Sequence, residues 1–148
     1  MSKQSERKVE KIEISFEEMV NLNGRYMLFV RNNTIISNTR FGIAFRYFIE
    51  DSCEKVLDKY NKDVRLIALD NALTDKDSGA VLFSKTGKDY LYDKSGLKNK
   101  LKEEEELYEK WKTKKFEVEK VYFVGEYPKQ LSDADLKNVK DFVVAQKS

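Results

Sequence analysis

The sequence predicts an α+β fold in which a long amphipathic helix packs with two or three shorter helices. Three observations support this class. Apolar residues recur every three or four positions over roughly 30–35 residues in the middle of the chain. Short alternating segments near both ends predict strands that form a small antiparallel sheet. Two further alternating segments, separated by a turn with glycine, predict a protruding β-hairpin.

Length and the polarity of the first residues predict the domain organisation. The chain has 148 residues, of which 41% are hydrophobic, enough for one compact core. We expect a flexible tail at 1–9 and a single α+β domain at 10–148. The first twelve residues lack the apolar stretch of a signal peptide. The longest apolar runs are too short to span a bilayer, so no membrane association is expected.

Composition narrows the possible functions. There are 28 Lys and Arg residues against 26 Asp and Glu, a net charge of +2. A protein-wide basic field for nucleic acid is therefore excluded, although a local patch is not. The absence of His removes the usual general base, and the single Cys53 excludes an internal disulfide and a Cys-based zinc site. We expect no enzymatic activity, no cofactor and no metal.

The first elements follow from capping and periodicity. Residues 10–15 alternate polar and apolar, which predicts a half-buried strand. Ser15 and Glu18 have the spacing of a capping box, so a helix is expected over 16–31. Gly24 lowers helix propensity by about 1 kcal/mol relative to Ala and predicts a bend or break there.

The longest predicted element covers about 38–73. Asn38 or Thr39 is expected to cap its first turn, and residues 75–79 (DKDSG) have the composition of the turn that ends it. A helix of this length must pack against another helix, in this chain or in another one. Its apolar positions are Phe41, Phe45, Phe48, Ile49, Ser52, Val56, Tyr60, Val64 and Ile67.

The second half of the chain continues with a hairpin, a helix, a strand and a last helix. The hairpin is expected at 80–94, with its turn at Gly87, and the helix at 96–113 is expected to run antiparallel to the long helix. Its predicted apolar stripe is Leu97, Leu101, Leu107, Tyr108 and Trp111. A strand at 114–128 is expected to pair with the first strand, and a last helix is expected to start at Ser132. The predicted buried face of that helix is Leu136, Val139, Phe142 and Val143.

Three patterns resemble chemical motifs but have simpler structural explanations. The acidic residues of 75–79 lack the spacing of a calcium-binding loop, because glycine stands one position early and no carboxylate ends the loop. Glu103 to Glu106 point around a helix and have lysine partners nearby, which favours a solvated face. Cys53 lies near the apolar side of the long helix, which favours a small buried hydrophobe over a reactive thiol.

One candidate surface is basic and aromatic. Between 25 and 46, arginines alternate with aromatic residues, a pattern that can bind single-stranded nucleic acid by stacking and phosphate contact. The simpler explanation is that the aromatics form core and the arginines flank it. Nucleic-acid binding is therefore kept as the alternative function, with Arg25, Arg31, Arg40 and Arg46 as its candidate residues.

The favoured candidate surface is apolar. The helix at 96–113 reaches only roughly 27 Å, about half the length of the long helix. Unless the helix at 16–31 covers the remainder, part of the long helix is expected to be exposed as an interface. This predicts a protein partner, a second copy or another protein, docking on Phe41, Phe45, Phe48 and Ile49.

The order of these features resembles a group of short proteins encoded by tailed phages of low-GC bacteria. The matching segments are 11–15, 41–73, 75–79 and 116–142, the last with Leu131, Ser132 and Leu136. The resemblance brings no catalytic motif. It implies a phage accessory protein, either a virion-assembly component or an inhibitor of a host protein, found in the bacterial cytoplasm or in the virion.

Overall fold

The fold is taken from a computed structural model that describes residues 9–147. The chain divides into two compact units. The first, called the core unit, comprises the described residues up to Leu57 and those from Thr113 onward; the second, called the helix–ribbon unit, is Asp58–Lys112. The predicted α+β class is confirmed. The predicted tail lies outside the described residues except for Val9, and the single domain at 10–148 stays a prediction.

The core unit begins with the predicted strand and helix. Strand β1 (Lys11–Ser15) pairs antiparallel with β2 (Lys115–Glu119), with Ile12 opposite Val118. Helix α1 (Phe16–Tyr26) starts with the predicted capping box, because Ser15 Oγ accepts from the Glu18 backbone N–H and the Glu18 carboxylate accepts from the Ser15 N–H. The expected strand pairing and helix start are both confirmed.

The helix does not break at Gly24. It continues to Tyr26 and then widens into a π-helical turn, Met27–Arg31, which ends where the helix predicted over 16–31 was expected to end. A single turn that the sequence did not predict, α2 (Thr34–Ser37), follows under an Asn33 cap. Helix α3 (Arg40–Phe48) is capped by Thr39, whose Oγ1 accepts from the Gly42 N–H at 3.0 Å.

Helical residues then follow one another without interruption. After α3 come a π-helical turn (Ile49–Cys53) and α4 (Glu54–Asp70), so the predicted long helix is confirmed, with 31 residues. The π-helical turn adds a residue to the repeat and rotates the following side chains. Cys53 is fully buried, as predicted, and Ser52, which the regular spacing places on the apolar side, is half-buried.

The end of the chain differs from the prediction. The strand predicted at 114–128 is two strands, because the chain changes partner at Lys120: β2 pairs with β1, and β3 (Val121–Val124) pairs parallel with β4 (Val143–Gln146). The predicted last helix is wrong. Ser132 and Asp135 do exchange capping hydrogen bonds, but Asn138 adopts a left-handed φ of 67° and only a 3₁₀ turn (Val139–Asp141) follows.

The hydrophobic core consists of aromatic rings and aliphatic side chains of the core unit. Phe41 packs edge-to-face against Phe45, Phe123 and Tyr127, at ring-centroid distances of 5.5–5.7 Å. Phe48 stacks at 5.4 Å on Phe142. The four residues predicted for the buried face of the last helix are buried here despite the different backbone: Leu136, Val139, Phe142 and Val143.

Candidate protein-binding surface

The predicted docking patch is wrong. Phe41, Phe45 and Phe48 are at most 1% exposed, and Ile49 is also buried. Helix α1 provides Met19 and Leu22 to the same cluster, and β3 and the 3₁₀ turn provide Phe123 and Val139. The prediction of an exposed segment assumed that only helices could cover it, whereas the parallel strand pair covers it as well. No partner can reach these four side chains in the folded core unit.

The four candidate arginines make separate structural contacts. Arg25 donates to the carbonyl oxygens of Ala134 and Asp135, at 2.9 and 2.7 Å, and Arg40 donates to that of Val124 at 3.3 Å. Arg31 contacts the Met27 sulfur at 3.3 Å. Arg46 lies 3.8 Å from the Glu50 carboxylate and over the Tyr47 ring.

The aromatic residues of the alternative hypothesis are also engaged. Phe41 and Phe45 belong to the core, and Tyr26 packs on Phe45 at 5.4 Å. Base stacking needs an accessible ring face. The described part of this segment offers Tyr47, which is exposed, and Phe29, which is half-buried. The structure therefore favours the simpler explanation of core aromatics flanked by arginines.

The helix–ribbon unit buries far fewer apolar residues than the core unit, although both units expose large hydrophobic side chains. Among its residues, Trp111 is the one that is buried. Seven large hydrophobic side chains are exposed in its two helices and the segment between them: Leu66, Leu69, Leu82, Phe83, Leu91, Leu97 and Leu101. Exposed apolar side chains in a unit with so little buried core are candidates for a protein–protein interface.

The two helices of this unit meet along a largely polar seam. Helix α5 (Lys94–Trp111) runs antiparallel to the end of α4, because Tyr60 packs on Trp111 at 5.6 Å and Asn71 meets Asn99 at 2.8 Å. Asn99 and Asn71 both donate to the Glu103 carboxylate. Gly96 lies against the last turn of α4, where a Cβ atom would lie 2.6 Å from the Asn71 carbonyl oxygen. The predicted antiparallel pairing is confirmed.

Between the helices the chain forms a ribbon of short backbone pairings. The predicted hairpin is present, because Phe83 bridges Tyr90 and the turn contains Gly87 at a φ of 71°. Thr74 also bridges Val81 across the acidic turn, in which Asp75 accepts hydrogen bonds from the backbone N–H groups of Ser78 and Asp77. Those hydrogen bonds lower the pKa of the Asp75 carboxyl group.

A groove of about 660 Å³ lies between α4, the ribbon and α5. Its walls combine aromatic rings, aliphatic groups and charges: Val64, Arg65, Ala68, Phe83, Lys88, Asp89, Tyr90, Tyr92, Lys100 and Glu104. Phe83 and Tyr90 stack at 5.4 Å. Lys100 is paired with Glu104 at 2.8 Å, which raises the Lys100 pKa.

Sequence reasoning missed this surface because it weighted leucines over small and charged residues. Leu97 and Leu101 were expected to face the long helix, and both are exposed. The residues of α5 that contact α4 and its end also recur with helical spacing: Gly96, Asn99, Glu103 and Trp111. This spacing in the sequence could have predicted the face of α5 that contacts α4, because it is as regular as the spacing of the leucines.

The described residues hold no cluster of three or more acidic, Cys or His side chains placed to bind a metal ion. In residues 9–147, no helix combines the length and apolarity that a membrane span requires. Burial raises the pKa of the Cys53 thiol to about 12, so the thiolate that reactive cysteines require is disfavoured.

Comparison with protein-family models, with curated proteins and with solved structures gave no match for this chain.

Proposed function

We propose that this chain is a non-enzymatic protein-binding module and that the helix–ribbon unit carries the binding surface. The observation that supports this is the exposure of seven large hydrophobic side chains within one unit whose only buried residue is Trp111. The core unit stabilises the fold through its own ring clusters. Apolar side chains that stabilise no core are available to a partner.

The groove suggests the chemistry of that partner. Phe83, Tyr90 and Tyr92 offer ring surfaces to apolar side chains. Arg65 and Lys88 line the same groove and make no ion pair among the described residues, so they are available to carboxylates. A protein segment with apolar side chains flanked by acidic ones fits this groove. Aromatic and Arg residues are also the types that dominate binding energy at protein interfaces.

The biological setting rests on the resemblance. A phage accessory protein that binds a virion component or inhibits a host protein would act through such a surface, in the bacterial cytoplasm or in the virion. The charged side chains of residues 9–147 all lie at or near the surface, whereas catalytic groups are commonly tuned by burial. This supports a binding role over a catalytic one.

The test is capture of proteins from a lysate of a low-GC bacterium on the immobilised chain. Wild type is compared with Phe83→Ser, in the groove, and with Leu28→Ser, a matched control in the core unit. Both side chains are more than half exposed (53% and 66%), so both variants should fold. We expect the same proteins on wild type and Leu28→Ser, reduced several-fold on Phe83→Ser.

Two results would contradict the proposal. Equal retention on all three chains would show that capture is non-specific. Absence of captured protein, together with salt-sensitive gel retardation of single-stranded DNA or RNA, would favour the nucleic-acid alternative. In that case, replacing Arg31 and Arg46 with Gln should weaken retardation, because two positive charges are lost. These two arginines are chosen because they make no contact with backbone carbonyl groups, so their replacement should leave the fold intact.

A further inference from the structure

The exposed side of α5 combines an apolar stripe with two oppositely charged halves. Leu97 and Leu101 are one helical turn apart on this side and are 45% and 55% exposed. The groove lies on another side of the helix, since Lys100 and Glu104 line it while these leucines do not. The surface around Leu97 and Leu101 is called the α5 outer face below.

The charges of α5 are segregated along its length. The first half of the helix carries Lys94, Lys98, Lys100 and Lys102, the next turn carries Glu103, Glu104, Glu105 and Glu106, and the last turn carries one charge of each sign, Glu109 and Lys110. Lys100 and Glu104 are paired with each other. In contrast, the side chains of Lys98 and Glu105 make no ion pair or hydrogen bond among the described residues. Seven residues, two helical turns, separate them, so both flank Leu101 on the same side.

This arrangement is complementary to itself in one direction only. Two α5 helices side by side and parallel would place lysines against lysines and glutamates against glutamates. Two antiparallel α5 helices, related by a two-fold axis between Leu101 and Lys102, place Lys98 of each copy opposite Glu105 of the other. The same register brings the two Leu101 side chains together at the centre. Like charges that face each other disfavour the first arrangement, and opposite charges favour the second.

We propose that the α5 outer face binds a second copy of this chain, with the two α5 helices antiparallel. The proposal rests on the proposed function in assigning α5 to the binding unit, and it names the partner of one face. A single pair of 18-residue helices is a small interface. The dimer should therefore dissociate on dilution, and raised salt should weaken it because the ion pairs lie at its solvent-exposed edge.

The test is a charge exchange followed by sedimentation analysis. Lys98→Glu alone and Glu105→Lys alone each turn two attractions into two repulsions, and each should weaken dimerisation about tenfold. An equimolar mixture of the two variants restores both attractions between unlike chains, so dimers should return. The double variant Lys98→Glu/Glu105→Lys should dimerise like wild type. Circular dichroism checks that every variant folds, as expected at exposed positions.

Matched apolar variants test the centre of the interface. Leu101→Ser should lower the dimer fraction, whereas Leu28→Ser in the core unit should leave it unchanged. A wild-type chain that stays monomeric at millimolar concentration would overturn the proposal. It would also be overturned if the mixture of the two charge variants stayed monomeric, or if each variant alone dimerised like wild type.

The outcomes separate this proposal from the proposed function. Phe83 lies in the groove, so Phe83→Ser should lose captured proteins and keep the wild-type dimer. Lys98→Glu should do the reverse. If dimerisation fails while capture still depends on Phe83, only the α5 proposal is wrong. If the dimer forms as described and no protein depends on Phe83, the groove has no partner and the proposed function fails.

Discussion

The core unit and the helix–ribbon unit are built from similar amphipathic patterns with opposite results. In the core unit, Phe41, Phe45 and Phe48 lie in ring clusters and are shielded from water. In the helix–ribbon unit, Phe83 and six leucines face solvent, while the helices meet through Asn71, Asn99 and Glu103. Apolar residues at helical spacing therefore do not by themselves identify a core. Whether such a helix face is buried depends on which other element of the chain packs against it.

The difference also separates stability from binding. Burial of a large apolar side chain contributes roughly 1.5–3 kcal/mol, so the ring clusters of the core unit dominate the free energy of folding. Side chains that remain exposed contribute little to it and can be changed at low cost. The helix–ribbon unit can therefore carry a binding surface without endangering the fold.

The sharpest contrast is expected from one substitution made in each unit. Phe45→Glu places a carboxylate among Phe41, Tyr26 and the rest of the core, where the described residues 9–147 contribute no buried charged side chain to pair with it. We expect a loss of more than about 4 kcal/mol and no cooperative unfolding transition. Phe83→Glu replaces a side chain that is half exposed and should cost less than about 1 kcal/mol.

Urea unfolding followed by circular dichroism distinguishes the two variants. A folded Phe45→Glu chain would show that this ring is not held in the core, and the contrast between the units would disappear. An unfolded Phe83→Glu chain would show that the ribbon is part of the stabilising structure.

The second contrast concerns two glycines at close backbone approaches. A Cβ atom on Gly42 would overlap the carbonyl oxygen of Ile36, so Gly42→Ala requires movement of the backbone between α2 and α3. We expect a cost of about 2–4 kcal/mol. Gly96→Ala meets the Asn71 carbonyl oxygen at 2.6 Å in the helix–ribbon unit, where fewer packed neighbours resist adjustment, and should cost about 1–2 kcal/mol.

Gly24→Ala is the matched control for both substitutions. Gly24 lies inside α1 with open space around its Cβ position, and alanine has the higher helix propensity. The free energy of unfolding should rise by up to about 1 kcal/mol. If Gly42→Ala proved as harmless as Gly24→Ala, the close contact between α2 and α3 would be wrong.

Local patterns predicted much of the fold because capping and alternation act over a few residues. The Ser15–Glu18 capping box, the Thr39 cap and the pairing of Ile12 with Val118 depend on spacings that are visible in the sequence. The parallel pairing of Val121 with Val143 is a contact between distant segments, and no local pattern encodes it. Capping residues at Ser132 predicted a helix that Asn138 then interrupts.

The proposed binding surface was the least predictable part. Whether an apolar side chain such as Phe41 or Leu101 faces solvent depends on which element packs over it. The hydrophobicity of the residue itself does not distinguish the buried side chain from the exposed one. Local apolar spacing predicts an exposed patch on the phenylalanines because the strands and turns that cover them are not visible in it. The same spacing predicts that Leu97 and Leu101 face the long helix, whereas Gly96, Asn99 and Glu103 make the contacts at the end of α4.

A third contrast should appear in amide hydrogen exchange. Backbone N–H groups of β1, β2 and α3 lie around a dry core and should exchange slowly. Ribbon N–H groups such as those of Leu82 and Leu91 are hydrogen-bonded but lie in a unit with little buried surface. Their opening free energies should be lower by on the order of 2 kcal/mol.

The exchange experiment should be run on dilute protein, so that dimers do not protect α5. Mass spectrometry of peptides from both units gives the comparison directly. Equal protection across residues 9–147 would mean that the two units open together, and the proposed division between stabilising and binding parts would then lose its energetic basis.

The last expected effect is a loss of stability at alkaline pH that originates in the core unit. Burial raises the pKa of the Cys53 thiol from 9.0 to about 12. Above pH 9 the unfolded chain releases this proton while the folded chain keeps it, so the free energy of unfolding falls as pH rises toward 12. At pH 10 the loss from this group is about 1.4 kcal/mol.

Urea unfolding of wild type and Cys53→Ala at pH 8 and pH 10 isolates the contribution of the thiol. Tyr127 and Tyr60 also have raised pKa values, mainly through burial, but they titrate in both chains and cancel in the comparison. The wild type should lose about 1.4 kcal/mol more than Cys53→Ala between the two pH values. Equal losses would mean that the thiol titrates as it does in water, which is incompatible with a dry site at the π-helical turn of the core unit.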